Sequence, residues 1–369
     1  MAFYDATPYI PKEPGSLTLS AYEVTLTLDT PTATITATGT GSITASSSNP
    51  SICTVSVSGN TITISAVNPG EATVKVISRD TPYYDWEEKE IYVDYPSPIL
   101  GVEWANTNRS VALTRTDAAA NLVDPVPYYS GMEGTPSSPF DNIAPWSQIS
   151  IVEDSSAGTL VKIPKFWYKW TRTSTTTKLQ ISAKQVEGFN VSPAHMDRGD
   201  GAGERDFAYI GRYHCASTFK STTGVAPLGR KNMSQFRVGI QELGTDIWMS
   251  DFAMWWTIRM LYLVEFANWD SQASIGYGCS LDSSAPTAVY AMGYTDNMPY
   301  HTGTVATSRS SYGGTQYRYI EGLWDNICDY IAGIFTYSSD IYAIKDPTYF
   351  GYTDDHKTKV GTRSSTMLI

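Results

Sequence analysis

Alternation of apolar and polar residues is the feature that most constrains the first hundred residues. Val24, Leu26 and Leu28 are separated by single polar residues, and the same pattern recurs up to Val76. Because successive side chains of a strand point to opposite faces, this alternation predicts strands with one face in a core and the other in water. Turn residues such as those at 68–70 separate the runs. The pattern predicts a β-sandwich of about six or seven short strands.

The composition changes near residue 98. Only one of the ten tryptophans, Trp86, precedes this point, and all four histidines follow it. A short segment with two prolines, Asp94–Gly101, lies at the change, and proline cannot continue a paired strand because it has no N–H group. We therefore predict an N-terminal extension at residues 1–15, the sandwich at residues 16–97 and a second domain at residues 98–369.

Two stretches of the sandwich carry a family resemblance. Ser46–Ile64 contains a Ser-Asn-Pro turn and a valine-rich strand, and Asn68–Val76 contains a Gly-x-Ala-x-Val strand. Together they resemble the bacterial group 2 immunoglobulin-like domain, over roughly Ser16–Tyr95. The resemblance implies an all-β immunoglobulin-like sandwich that serves as a spacer or display stalk. Where that family often has tryptophan, this chain has Ala45.

The second domain has a mixed pattern. Asp251–Trp269 places large apolar residues at helical spacing and predicts a helix, and Tyr317–Ile334 predicts a second one in the same way. Val161–Trp170 and Lys178–Ser182 flank the threonine-rich turn Thr171–Thr177 and predict a hairpin. Two helices, few strands and long irregular segments indicate an α+β domain.

A series of five motifs in this domain combines tryptophan or tyrosine with glycine, proline or asparagine. The motifs are Gly101–Trp104, Ser138–Trp146, Ile163–Trp170, Gly211–Tyr213 and Gly322–Asn326. As a series, over roughly residues 101–365, they resemble the C-type-lectin-fold proteins of phage tail fibres and the targets of diversity-generating retroelements. The resemblance implies an α+β C-type-lectin-like domain that binds ligands on a virion. Such proteins continue past a stretch like Val360–Arg363 into further strands, so the domain is expected to lack its final strands or to receive them from elsewhere.

The triplet Trp324, Asp325 and Asn326 has two interpretations. The lectin resemblance implies a structural core motif, in which the ring fills the interior and the polar side chains satisfy loop backbone. The alternative is a calcium or sugar ligand, because calcium prefers oxygen donors. The Glu-Pro-Asn and Gln-Pro-Asp triplets of calcium lectins do not occur in the sequence, and the structural interpretation is preferred.

Several tyrosines lie in loops rich in glycine, serine and threonine. These candidate ligand-binding residues are Tyr290, Tyr294, Tyr300, Tyr312 and Tyr317. Tyrosine suits binding loops because it buries a large area with little loss of rotamer freedom, while serine and glycine adapt to the ligand. The same residues equally suit a loop-rich fold held together by buried rings. Both interpretations stay open, whereas Trp255, Trp256 and Tyr262 are predicted to pack in the core.

No metal or cofactor is expected. The loop 195–206 carries four carboxylates, Asp197, Asp200, Glu204 and Asp206, but their spacing does not fit an EF-hand. Arg198 and Arg205 lie among them, so a solvated, partly neutralised loop is predicted. The four histidines are far apart in sequence, which does not favour a zinc site. The four cysteines (Cys53, Cys215, Cys279 and Cys328) lack CxxC spacing and are predicted to be reduced thiols.

The remaining sequence features exclude several classes of protein. No catalytic serine elbow or phosphate-binding loop is present, so no enzyme is predicted. The net charge of −11 disfavours binding to nucleic acid. The sequence has neither a signal peptide nor an apolar run of membrane-spanning length, so a virion protein assembled in the host cytoplasm is expected.

These inferences, with the two resemblances, predict a phage virion adhesion protein of the tail-fibre or receptor-binding type. Its expected partners are a host cell-surface glycan or protein, other virion subunits and further copies of itself. Two alternatives remain: a decoration or collar protein that binds no receptor, and a depolymerase of host polysaccharide.

Overall fold

The chain forms two compact units, Met1–Pro98 and Ile99–Ile369. A computed structural model describes residues 11–79, 84–107, 110–279, 289–351 and 356–362. Of the predicted N-terminal extension, residues 1–10 lie outside the described residues. Within the rest of it, Glu13 forms a single parallel bridge with Tyr84.

The first unit is a sandwich of two four-stranded sheets. Its strands are β1 (Leu17–Leu19), β2 (Glu23–Thr25), β3 (Thr32–Gly39), β4 (Ile43–Ser47), β5 (Cys53–Ser58), β6 (Thr61–Ala66), β7 (Gly70–Ser78) and β8 (Glu87–Tyr95). One sheet has the order β1-β3-β6-β5 and the other the order β2-β8-β7-β4. The predicted immunoglobulin-like sandwich is therefore confirmed for this unit.

The core of the sandwich comes from the apolar half of each alternating run. Ile62 and Ile64 of β6 face Val74 and Val76 of β7 in one buried cluster, and all four side chains are fully buried. Burial of each such side chain contributes roughly 1.5–3 kcal/mol relative to leaving it exposed. The threonines and charged residues between them point to solvent, as the alternation predicts.

The segment between the units is shorter than the predicted linker Asp94–Gly101. Asp94 and Tyr95 still pair with Glu71 and Gly70 in the β8–β7 ladder. The next strand begins at Leu100. Only the four residues 96–99, which include both prolines, lie outside the strands, because the ladder continues up to the first residue that lacks an N–H group.

Strands predominate in the second unit as well. They are β9 (Leu100–Ala105), β10 (Thr114–Asp117), β11 (Tyr128–Tyr129), β12 (Ser150–Asp154), β13 (Gly158–Pro164), β14 (Trp167–Arg172), β15 (Thr176–Ser182), β16 (Asn190–Val191), β17 (Phe207–Gly211), β18 (Gly303–Thr304), β19 (Thr315–Tyr317), β20 (Ile320–Glu321), β21 (Ile334–Tyr337), β22 (Asp340–Ile344) and β23 (Lys357–Thr362). The described helices are α1 (Met233–Gln241), α2 (Phe252–Phe266) and α3 (Ser271–Ser274), with 3-10 turns at Pro139–Asn142, Trp146–Gln148 and Pro347–Tyr349.

These strands form four sheets. Their orders are β10-β9-β15-β14-β16, β12-β13-β17, β11-β18-β19-β20 and β21-β22-β23. Helix α2 packs against β9 and β15 of the five-stranded sheet. The stretch Val360–Arg363 contributes its first three residues to β23, and Arg363 lies outside the described residues.

The predicted helix at Asp251–Trp269 is confirmed as α2. Its first turn is capped by the Asp251 carboxylate, which accepts a hydrogen bond from the backbone N–H of Met254 at 2.9 Å. The helix ends where Ala267 adopts a left-handed conformation at φ 48°. From Ile258 to Phe266 every side chain except Arg259 is buried, so the second half of α2 is enclosed on most sides rather than burying a single apolar stripe, while Phe252 and Arg259 remain exposed. Tyr262 is buried, as predicted.

The predicted helix at Tyr317–Ile334 is wrong. The chain there forms β19, a tight turn and β20, followed by turns up to β21. Its backbone is left-handed at Arg318 and Tyr319, and again at Gly322 and Asn326. A right-handed helix cannot contain such residues, so the helical spacing of the apolar residues is coincidental.

The predicted hairpin is confirmed in part. β14 and β15 pair in antiparallel register from Trp167 opposite Ser182 to Arg172 opposite Thr177. The preceding residues up to Pro164 belong instead to β13, which pairs with β12 and β17 in another sheet.

Candidate functional site

The buried carboxylate of Asp325 organises the tyrosine loops. One of its oxygens accepts hydrogen bonds from the backbone N–H of Thr315 at 3.0 Å and from the Thr315 hydroxyl at 3.1 Å. The other accepts from the hydroxyl of Tyr294 at 2.7 Å. Burial raises the pKa of Asp325 above its ordinary value, although these bonds act in the opposite direction. One side chain thereby joins the turn after β20 to the loop of Tyr294 and to the start of β19.

The neighbours of Asp325 hold two further segments. The indole N–H of Trp324 donates to the carbonyl of Gly276 at 3.0 Å. The side chain of Asn326 pairs with the backbone of Tyr290, accepting from its N–H and donating to its carbonyl, both at 2.9 Å. The three residues predicted as a core motif thus satisfy loop backbone, although the Trp324 ring is only half-buried.

Glu321 plays the same part for the loop that contains Tyr294. Its carboxylate is buried and accepts from the backbone N–H groups of Gly293 at 2.6 Å and Thr295 at 2.9 Å. Burial raises the pKa of Glu321. Close packing also fixes this loop, since a Cβ on Gly314 would lie 1.9 Å from the Tyr294 ring.

The five candidate tyrosines fall into two groups. Tyr290 and Tyr312 are 38% and 48% exposed, and their rings are open to solvent. Tyr294 and Tyr300 are half-buried, and Tyr317 is only 2% exposed. The hydroxyls of these last three donate to Asp325, Asp141 and Glu265 respectively. Their side chains pin loops from inside, so only Tyr290 and Tyr312 can offer a broad ring to a ligand.

Tyr317 belongs to a buried ionic cluster. Glu265 of α2 is fully buried and pairs with Arg318, whose Nη2 lies 2.5 Å and whose Nε lies 3.1 Å from its two oxygens. It also accepts from the hydroxyls of Ser138 at 2.8 Å and Tyr317 at 2.9 Å. Every lone pair direction of this carboxylate therefore has a donor, which is the condition for burying a charge.

Arg318 also reaches Asp141, whose carboxylate lies 2.9 Å from Nη1. The same carboxylate contacts Nε2 of His301 at 2.9 Å. Partial burial alone would raise the pKa of Asp141, but the hydrogen bonds from His301 and Tyr300 and the charge of Arg318 outweigh it and lower that pKa to about 2. The cluster joins α2 to the turn between β19 and β20.

Basic side chains neutralise part of the loop 195–206, although Arg198 is not one of them. Arg205 pairs with Asp200, and Lys165 lies 2.7 Å from Asp206. Arg198 points inward and forms a buried ion pair with Asp251 at 2.6 Å. Among the described residues, no group of three or more His, Cys, Asp or Glu side chains is arranged to hold a metal ion.

His195, at the start of this loop, is fully buried. Its Nε2 lies 3.0 Å from the carbonyl of Ile163, and its Nδ1 lies 2.6 Å from the hydroxyl of Ser192. Because a carbonyl only accepts, Nε2 carries the proton and Nδ1 accepts from Ser192. Burial is the main cause that lowers the pKa of His195 to about 4.

The other histidines and the cysteines form no common site. His214 contacts Asp329 at 3.2 Å and His301 contacts Asp141, while His356 stacks on Tyr349. Burial alone would lower the pKa of His214, but the hydrogen bond and charge of Asp329 raise it. None of the four cysteines, all of which lie in the described ranges, forms a disulfide bond, and Cys328 is exposed.

Sequence reasoning missed a cluster of four tryptophans at one end of the five-stranded sheet. The tryptophan cluster consists of Trp104 on β9, Trp170 on β14, Trp256 on α2 and Trp269 just after α2. Its rings lie 5.1–5.6 Å apart in successive pairs. Trp256 was predicted to be core, yet it is half-buried. Trp104 and Trp170 are the last residues of the motifs Gly101–Trp104 and Ile163–Trp170. Without the strand register, nothing in the sequence indicates that the two rings lie close together.

Most of the sandwich matches a known domain family. Residues 20–83 match the bacterial Ig-like domain (group 2). This Ig-like match covers β2 to β7 and confirms the resemblance found in the sequence. Strands β1 and β8 lie outside the matched residues but complete the two sheets. No curated protein matches the chain. Within the described residues, no helix has the length and apolar character needed to cross a bilayer.

Replacing Asn326 tests how firmly the exposed Tyr290 loop is held. Asn326→Gly removes both hydrogen bonds to Tyr290 but tolerates the φ of 69°, so we expect a loss of about 1 kcal/mol in the free energy of unfolding. Asn326→Ala adds the strain of a left-handed alanine, roughly 1 kcal/mol more. Urea denaturation measures both losses. Amide hydrogen exchange at Tyr290 should accelerate in both variants, and unchanged exchange would contradict this role of Asn326.

Proposed function

We propose that the protein is a phage virion adhesion protein, of the tail-fibre or receptor-binding type, in which the Ig-like domain is a stalk and the second unit is a lectin-like ligand-binding domain. The observation that carries the proposal is the rigid presentation of two exposed tyrosines. Tyr290 is held by the side chain of Asn326, and the chain next to Tyr312 is held where Gly313 bridges to Gly278. Fixed aromatic rings lose little entropy on binding.

Three further observations support the proposal. The family match at residues 20–83 fits a stalk. The antiparallel sheet packed against α2, and separately the half-buried Trp324 and buried Asp325 that satisfy loop and strand backbone, fit the expectation of a lectin-like scaffold. Two buried carboxylates among the tyrosine loops, Asp325 and Glu321, are engaged by backbone and hydroxyl donors, which fits binding without chemistry.

Adhesion of the purified, oligomeric protein to host cells tests this function. We expect binding to susceptible cells, and we expect Tyr290→Ala and Tyr312→Ala each to weaken it by about tenfold, as is typical when an exposed aromatic anchor is removed. Tyr337→Ala, which alters an exposed tyrosine on β21, is the matched control and should bind normally.

Three outcomes would contradict the proposal. Absence of binding to every susceptible strain would favour a decoration or collar protein. Burial of Tyr290 and Tyr312 against another subunit in the assembled particle would do the same. Release of reducing sugar from host polysaccharide, abolished by a single Asp or Glu substitution, would establish a depolymerase instead.

A further inference from the structure

The tryptophan cluster is an aromatic surface that continues along α2. The ring centroids of Trp104 lie 5.1 Å from Trp269 and 5.2 Å from Trp170, and Trp170 lies 5.6 Å from Trp256. Phe252, one turn before Trp256, extends the series at 5.9 Å with nearly parallel rings. Five aromatic rings, from two strands, from α2 and from the residue Trp269 just after α2, are thus contiguous.

This surface is open to solvent. Trp170 is 37% exposed and Phe252 is 39% exposed, while the other three rings are half-buried. Side chains of this size usually dominate the energetics of a core or an interface, and a contiguous exposed group of them indicates a binding surface. Phe252 and Trp256 also line an apolar cleft of about 260 Å³, together with Met196 and Val360.

Arg259 places a positive charge on the same surface. Its guanidinium carbon lies 5.5 Å from the ring of Trp256 and 5.2 Å from that of Trp269, within the range of cation–π contact. The guanidinium group forms no hydrogen bond or ion pair with any described residue. Partial burial lowers the pKa of Arg259. Five other described arginines of this unit are paired with carboxylates; they are Arg115, Arg198, Arg205, Arg212 and Arg318.

The aromatic rings and Arg259 together indicate what kind of ligand this surface can bind. The C–H faces of a sugar ring carry slight positive charge and pack on the electron-rich faces of aromatic rings. A planar guanidinium bound by rings on one side can still form two parallel hydrogen bonds with a carboxylate. In a chain of net charge −11, an arginine that no described carboxylate pairs with, on an exposed aromatic surface, complements an anionic partner.

We propose that the tryptophan cluster, Phe252 and Arg259 form a binding site for a saccharide that carries carboxylate groups. The sugar rings pack on Trp170 and Trp256, and a carboxylate pairs with Arg259. The apolar cleft beside Phe252 receives the adjoining part of the chain. The site shares no residue with the tyrosine loops, so it goes beyond the proposed adhesion through Tyr290 and Tyr312.

Titration of the full-length protein with acidic oligosaccharides tests the site. The probes are oligomers of alginate, of polygalacturonate and of sialic acid, with maltohexaose as the neutral probe. We expect at least one acidic probe to bind, seen by calorimetry and by a change in tryptophan fluorescence, and the neutral probe to bind at least about tenfold more weakly. Raising the ionic strength should weaken binding of the acidic probe, because the charge pair is exposed.

Variants of the site separate the contribution of aromatic packing to binding from that of the arginine charge. Trp170→Ala and Arg259→Gln should each weaken binding by about tenfold, and Arg259→Lys should lose less because it keeps the charge without the planar fork. Trp86→Ala and Arg79→Gln, at exposed residues of the first unit, are the matched controls and should bind like the unaltered protein. Thermal unfolding of each variant verifies that it folds.

The proposal is overturned if none of the acidic probes binds, or if Trp170→Ala and Arg259→Gln bind like the controls. Equal binding of the neutral probe overturns the part assigned to Arg259. Loss of adhesion to host cells in Trp170→Ala, without binding of any acidic saccharide, would identify a protein interface instead. Since these titrations use purified saccharides, their failure leaves adhesion through the tyrosine loops intact, and the reverse also holds.

Discussion

Replacing Arg318 with methionine (Arg318→Met) is expected to lower the free energy of unfolding of the second unit by about 3–5 kcal/mol. The guanidinium is 3% exposed and supplies two of the donors to Glu265 as well as a contact with Asp141. Without it, the buried Glu265 keeps only the hydroxyls of Ser138 and Tyr317 as partners. Urea denaturation followed by tryptophan fluorescence measures the loss, since nine of the ten tryptophans follow residue 98.

A double-mutant cycle isolates the ion pair. Glu265→Gln alone leaves the arginine without its main partner, whereas Glu265→Gln combined with Arg318→Met removes both charges. We expect the double variant to be less destabilised than the sum of the two single variants, by at least about 1 kcal/mol, because residues in contact do not act independently. Arg318→Lys keeps the charge and should lie between Arg318→Met and the unaltered protein. Additive losses, or a loss below about 1 kcal/mol in Arg318→Met, would contradict the role assigned to the pair.

Acidification from pH 6.5 to pH 4 is expected to cost about 3 kcal/mol through His195 alone. The pKa of this ring is lowered from 6.5 to about 4 in the folded protein. Between these two values the unfolded chain binds the proton and the folded chain does not, so stability falls as the pH decreases through this window. Above pH 6.5 the ring is neutral in both states, and the contribution is fully present.

The variant His195→Gln separates this effect from the titration of carboxylates. It is less stable at pH 7, because it alters the contacts with Ser192 and Ile163, but its stability should depend less steeply on pH between 4 and 6.5. Urea denaturation at several pH values gives both slopes, and an NMR titration of the ring protons gives the pKa directly. A ring that titrates near 6.5, or equal slopes for the two proteins, would overturn the prediction.

Helices and strands could be predicted from the sequence wherever the local residue pattern matches the way in which the element is buried. Alternation predicts the sandwich because the strands around Ile62 and Val74 bury every second residue against the facing sheet. The cap at Asp251 and the run of large apolar residues after it predict α2 for the same reason. The hairpin of β14 and β15 is predictable because its turn forms its own hydrogen bonds. The Thr173 hydroxyl accepts from the backbone N–H of Thr176 and donates to its carbonyl.

The sequence marks the tyrosine loops, but the contacts that hold them and the ionic cluster could not be predicted from it. The helical spacing around Ile320 coincides with left-handed residues at Arg318 and Gly322, and only the tertiary contacts of the turn select that backbone. Glu265 lies within a helix whose other residues are mostly apolar, and its partner Arg318 is 53 residues away. In the sequence, Glu265 is visible only as a charged residue within an apolar run. Nothing in that run indicates that Arg318 is its partner.

The position of β8 decides when the Ig-like domain can close during synthesis. Strand β2 is an edge strand whose neighbour in its sheet is β8, with Val24 opposite Val93, and β8 in turn lies beside β7. The early strands therefore leave the ribosome with one sheet still open, and their apolar faces stay partly uncovered until Glu87–Tyr95 has emerged. A nascent chain interrupted at residue 83 would contain the whole matched family segment and still be unable to shield its interior from other chains.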